Sequence, residues 1–167
     1  MAWRDLYEYW LGKHCDGVPP SRADIDPLFE IPKLLPNLYL VDVEPDGFRF
    51  RLVGSEITKR AGRDTTGRAI DRSLLSEESL ASWLKIMRLT AHEQRPVLYC
   101  FSARARTAFN ALGILMPLLN EAGATNMLIG GVFFGAAKQL PRPHIPDRVY
   151  EIPFPQDPST IEIARAS

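Results

Sequence analysis

Cysteine is scarce in this sequence. Cys15 and Cys100 are the only two among 167 residues, and nothing in their spacing pairs them. That argues against a disulfide framework or a clustered zinc site, and a reducing cytoplasm is the expected compartment. Excess charge of either sign is missing too. Twenty Lys and Arg balance twenty Asp and Glu, so no bulk field draws the chain to nucleic acid or to an anionic membrane. Long apolar runs are absent: the longest, Ala111 to Leu119, is too short to span a bilayer. The first residues carry Asp5 and no apolar signal core. There is no internal repeat and no low-complexity segment. No catalytic constellation stands out, so function has to be argued mainly from architecture.

What is present fits one domain with extensions. Residues 1–36 read as an N-terminal helix and a proline-stiffened lead-in, 37–136 as the core, and 137–167 as a proline-rich extension. Trp3, Leu6, Tyr7 and Trp10 fall on one helical stripe that must be buried. Two readings stand: packing against the chain's own domain, or contact with a partner or second copy. Pro19, Pro20, Pro27, Pro32 and Pro36 then stiffen the chain, with Ser21 and Asp26 as helix caps.

The segment 37–67 carries most of the fold information. Asp46-Gly47 is a strong two-residue turn signal. That register sets Glu44 opposite Arg49 and Asp42 opposite Arg51, with Tyr39, Val41, Val43, Phe50 and Leu52 on the other face. Ser55 caps a short helix that stops at Gly62, and Ser76 starts a longer one bearing Leu80, Trp83, Leu84, Met87 and Ala91. Three strands follow, near 97–102, 107–117 and 126–134, with links short enough to make them antiparallel neighbours. The segment 149–152 offers an edge strand. The expected class is α+β: a five-stranded antiparallel sheet covered on one face by helices, with an N-terminal amphipathic helix.

The order strand, strand, helices, then three strands resembles a PAS domain. The stretches PPSRADIDPLFEIPKLLPNLYLVDVE and FRFRLVGSEITKRAGRDTTGR are similar to the bacterial single-domain PAS_5 family. The most specific parts are Pro20-Ser21-Arg22-Ala23-Asp24, Leu35-Pro36, Arg51-Leu52-Val53-Gly54, and Gly62-Arg63-Asp64 followed by Thr66-Gly67. The resemblance implies a cytoplasmic, commonly dimeric sensor or protein-interaction module in bacterial signalling, without catalysis and without a shared cofactor signature. Such a module acts through a partner or by dimerising. Haem held by a helical histidine, as in some PAS domains, would fall to His92, but His92 sits near the end of its stripe. Its ordinary reading is a surface histidine at a helix C-terminus. Adjacent His14 and Cys15 do not converge on a metal. Cys100 alternates with Tyr99 and Phe101 as a strand residue, and His144 has no nucleophile paired with it.

The candidate ligand pocket is geometric. Tyr39, Val41, Phe50 and Leu52 would form its floor. Ile57, Trp83 and Met87 would come from the helices, and Tyr99 and Phe109 from the later strands. These side chains either close into a filled core or line an apolar cavity for a small ligand. Arg60, Arg63, Arg68 and Arg72 form a basic run in the helical segment, broken by Asp64 and Asp71.

Overall fold

The computed structural model of the chain describes residues 2–104, 108–135 and 145–151, with side chains described for 2–100 and 111–135. One antiparallel sheet holds β1 (Leu38–Glu44), β2 (Gly47–Val53), β3 (Val97–Arg104), β4 (Ala108–Leu119), β5 (Thr125–Gly135) and β6 (Ile145–Glu151). Their spatial order is β2-β1-β5-β4-β3-β6. The five expected strands are present. The sixth flanks β3 and begins earlier than the sequence signal near 149, while Ile152 and His144 lie outside the described residues.

The helices are α1 (Ala2–Gly12), α2 (Pro27–Glu30), α3 (Ser55–Ala61) and α4 (Glu77–Glu93). Pro27 occupies the first turn of α2, where its missing N–H costs nothing. Ser76 caps α4 by accepting the Ser79 N–H at 3.3 Å. Gly62 ends α3 with φ at 78°, a conformation glycine adopts without a Cβ penalty. The N-cap of α3 is Gly54, not Ser55.

Helices cover both faces of the sheet, not one. Period-two alternation sends Tyr39, Val41, Tyr99, Leu115 and Leu128 toward α4. Leu38, Leu40, Leu98, Ile114 and Ile129 point the opposite way, toward α1. Both sets are apolar because both faces are covered. Of the two readings open for Trp3, Leu6, Tyr7 and Trp10, packing against the chain's own domain is the one the structure shows. All four are buried, Trp3 at 2% exposure and the others at 0%, against the chain's own sheet. Peeling α1 away for a partner would forfeit roughly 1.5–3 kcal/mol for each large side chain. The Trp10 indole N–H also donates to the Pro117 carbonyl at 2.9 Å. Pro117 lies two residues past Leu115, where the β3–β4 pairing ends, so its missing N–H removes no bond to β3.

The β1–β2 turn sits one residue earlier than expected, which moves the pairing near it by two residues and keeps each side chain on its face. Glu44 pairs with Gly47, so the loop is Pro45-Asp46. Proline's fixed φ suits the first central turn position, and Gly47 takes a φ of 156° that side-chain-bearing residues rarely adopt. The charge pairs nevertheless form. Arg49 Nε donates to Glu44 Oε1 at 2.7 Å, and Arg51 Nη1 to Asp42 Oδ2 at 3.3 Å. A bulge follows: Val41 pairs with Phe50 but Leu40 with Leu52, leaving Arg51 as the extra residue.

The lead-in is tied back to α1 through Glu30. Lys13 Nζ and the Tyr9 hydroxyl both donate to its carboxylate, the latter at 2.6 Å. These hydrogen bonds, Lys13 first, lower the Glu30 pKa to about 2 from an ordinary 4.5. A depressed carboxylate pKa contributes stability that is full above the unfolded-state value and is lost as pH falls through the folded one. The difference in thermal midpoint between the parent protein and Glu30→Gln should therefore be constant above pH 4.5 and vanish toward about pH 2. Thermal unfolding of both proteins across that range checks it.

Candidate ligand cavity

The segment from Gly62 to Ser76 returns the chain from α3 to α4 and is strapped to the outer edge of β2. Phe50 N–H donates to Arg68 O at 2.9 Å, Gly67 N–H to Phe50 O at 2.6 Å, and Ile70 N–H to Phe48 O at 2.8 Å. The Thr66 hydroxyl accepts from Val53 N–H at 3.2 Å, while Thr66 N–H donates to Asp64 Oδ1 at 2.9 Å. An edge strand's free backbone groups are thereby satisfied. On the other side, Gly54 packs against the Leu35 and Pro36 carbonyls, and its N–H donates to Leu38 O at 2.7 Å. The family-like motifs thus hold α3 and its following loop over one end of the sheet.

Between them lies a cavity of about 360 Å³, toward the small end of the range for ligand pockets. Tyr39, Phe50, Ile57 and Trp83 line it as the sequence predicts. Val41, Met87 and Tyr99 are completely buried in the adjoining core and do not border the space. Leu52 is 42% exposed, because the bulge at Arg51 turns it away and puts Val53 in its place. The Phe109 side chain lies outside the described residues.

Sequence reasoning missed the rest of the wall. Val53, Val132 and Phe134 come from β2 and β5, and Ile70, Leu74 and Leu75 from the strapped loop. A polar rim is added by Arg60, Arg63 and Thr65, with Ser76 and Ser79 at the start of α4. The basic run had marked the two arginines without placing them at a cavity. For Val132 and Phe134 the only signal was their parity with Leu128 along β5.

One end of the cavity adjoins a tyrosine pair that bridges the sheet. Tyr39 on β1 lies over its cross-strand partner Gly130 on β5, and Tyr99 on β3 lies over Gly113 on β4. With no Cβ beneath them, both rings lean inward across the central strands, and their hydroxyls hydrogen-bond at 2.8 Å. Burial raises both phenol pKa values, so both rings stay protonated across the physiological range. Trp83 meets Tyr99 edge to face at 5.2 Å, and Phe50 meets Tyr39 similarly at 6.2 Å. Anything in the cavity that touches Tyr39 and Trp83 therefore presses on both ends of the pair.

The rim carries two cations and no acid. Arg60 Nε donates to Glu56 Oε1 at 3.0 Å, and its guanidinium lies 5.0 Å from the Phe134 ring centre. Arg63 donates to the Leu74 carbonyl and has no carboxylate partner among the described residues. Such a site can hold and orient a small molecule. Candidate metal and nucleophile chemistry lies elsewhere: His92 is exposed at the end of α4 and does not border the cavity. His14 Nδ1 sits 3.0 Å from the Trp10 and Leu11 carbonyls at the end of α1. Cys15 is exposed and Cys100 half-buried. No group of three or more His, Cys, Asp or Glu able to hold a metal occurs among the described residues. No helix among them is long and apolar enough to cross a membrane.

Among solved structures, the PAS domain from Bordetella pertussis BvgS is 19% identical, with a TM-score of 0.48 over 62% of this chain and 79% of that one. A fungal LOV domain photoreceptor is 16% identical, with a TM-score of 0.48 over 78% and 89%. The Rhodobacter sphaeroides LOV protein is 20% identical, with a TM-score of 0.47; the match covers 59% of this chain and spans 58% of that one. No curated protein matches the chain. The family model PAS_5, described as a PAS domain, matches residues 1–133. PAS domains are sensor modules that bind ligands or partners and are typically not enzymes. Covering most of its 167 residues, that match makes this chain a member of the PAS_5 family of PAS domains.

Proposed function

We propose that the chain is a non-enzymatic, cytoplasmic sensor or adaptor domain of bacterial signalling that takes a small ligand into the cavity between β1, β2, β5 and the α3–α4 segment. The observation that carries this reading is the cavity itself, about 360 Å³ of mostly apolar space in a domain whose adjoining core is tightly closed. A protein that needed only a folded interaction surface gains nothing from leaving this volume open, since unfilled space forfeits packing energy. Occupancy changes the contacts of Tyr39 and Trp83, and through the Tyr39–Tyr99 bridge it reaches β3, whose Leu98 belongs on the other face to the apolar cluster that buries α1. A ligand shifts this arrangement only if it binds two states of the domain with different affinity. Output then passes to a protein partner or a second copy of the chain.

Extraction and mass spectrometry of the purified protein, followed by a thermal-shift screen, test the reading. A ligand at a hundredfold its dissociation constant should raise the midpoint by roughly 5–10 °C. Ala61→Phe projects into the cavity and should abolish that shift while leaving the protein folded. No retained compound and no stabilising compound would favour the alternative, an interaction or dimerisation module that uses no ligand.

A further inference from the structure

We infer that the ligand class is a small amphiphilic monoanion, an apolar body carrying one carboxylate, with the carboxylate held by Arg63 at the cavity mouth. This rests on the cavity being the ligand site. Two arginines and no acidic residue line the space. Arg60 is already neutralised by Glu56 at 3.0 Å and stacked on Phe134. No carboxylate among the described residues neutralises Arg63. Among the described residues its hydrogen bond goes to the carbonyl of Leu74, itself a lining residue, and a guanidinium has five N–H donors in a planar fork. The neighbouring carboxylate of Asp64 does not border the cavity and accepts the Thr66 amide instead.

One uncompensated cation at the rim of an apolar space therefore selects one negative charge on an apolar ligand. The fork matches a carboxylate in two-point geometry. The Ser79 and Thr65 side chains add neutral polar groups on the rim and no competing charge. Phe50, Trp83 and Val132 line the same space with ring and aliphatic surface for the ligand body.

Calorimetric titration of the full chain with octanoate, 1-octanol, octylammonium and acetate tests this. Octanoate should bind roughly tenfold more tightly than 1-octanol, the low end for a charge-assisted pair because Arg63 is exposed. Octylammonium should bind more weakly than the alcohol, and acetate, lacking the apolar body, should show no measurable binding. Arg63→Gln should bring octanoate down to the affinity of 1-octanol without changing the alcohol, whose binding also reports an intact cavity. Should that variant not fold, the comparison of octanoate with 1-octanol on the parent protein decides alone. Equal affinity for the two on the parent protein, or an octanoate preference that survives Arg63→Gln, overturns the charge assignment and leaves the cavity reading standing. Absence of binding by all four overturns both.

Discussion

Replacing Gly113 with alanine should cost about 3 kcal/mol of folding stability. A Cβ there would run into the Tyr99 ring. That ring has nowhere to go: it is completely buried, edge to face with Trp83, and hydrogen-bonded to Tyr39. An alanine in place of glycine ordinarily gains about 0.4–1 kcal/mol by restricting the unfolded chain, and the clash outweighs that. Gly130→Ala makes the informative comparison. Its Cβ would lie 2.5 Å from the Tyr39 hydroxyl oxygen, but Tyr39 borders the cavity and can swing into it. The expected cost is smaller, roughly 1–2 kcal/mol, mostly the lost tyrosine–tyrosine bond. In exchange the displaced ring should fill the cavity and remove ligand binding. Urea unfolding and a binding titration on both variants check this. Equal costs at the two glycines would mean that the space beside Tyr39 is not there.

Gly54→Ala is the second large effect, again about 3–4 kcal/mol. Its φ is −65°, which alanine adopts without strain, so the penalty is purely steric. The new Cβ would lie 2.5 Å from the Leu35 carbonyl oxygen, with the Pro36 carbonyl closer still. These are backbone atoms of a proline-flanked 3-10 turn, Pro32–Asn37, and cannot rotate aside. Relief requires α3 to lift, which opens the wall that Ile57 and Ala61 contribute. Denaturant unfolding should therefore show the loss of stability together with weakened ligand binding. A stability change under 1 kcal/mol would show that the turn and α3 are less closely packed than described.

Gly54 also shows how far the sequence could be read. Leu35-Pro36 and Arg51-Leu52-Val53-Gly54 were legible as family-like motifs, but their meaning is a contact between them, and a contact over that separation leaves no local signature. Several local signals held: the cap at Ser76, Asp26 at the N-cap position of α2, the stop at Gly62, and the paired charges of Glu44 with Arg49 and Asp42 with Arg51; the cap expected at Ser55 fell one residue earlier, on Gly54. The turn moved back by one residue because Pro45 competes with Asp46-Gly47 for it, and proline's fixed φ won. Leu52 was misplaced because a bulge inserts one residue without altering composition. The second covered face was readable and was missed. Leu38-Tyr39-Leu40-Val41 and Leu112 to Leu119 are almost continuously apolar, the pattern of strands buried on both sides, and they call for a helix such as α1 over the second face. The cavity itself was not legible. Whether Tyr39, Phe50 and Trp83 meet or leave a gap depends on packing differences of a few ångströms that no residue pattern encodes.

This gap is a preformed, largely apolar space. A crystal of the ligand-free protein held under xenon tests it most directly, because a dry apolar cavity takes up the gas. An ordered xenon atom should appear between Tyr39, Phe50, Trp83 and Val132, with those side chains placed as described. Side chains packed together across that volume, with no xenon between them, would contradict it.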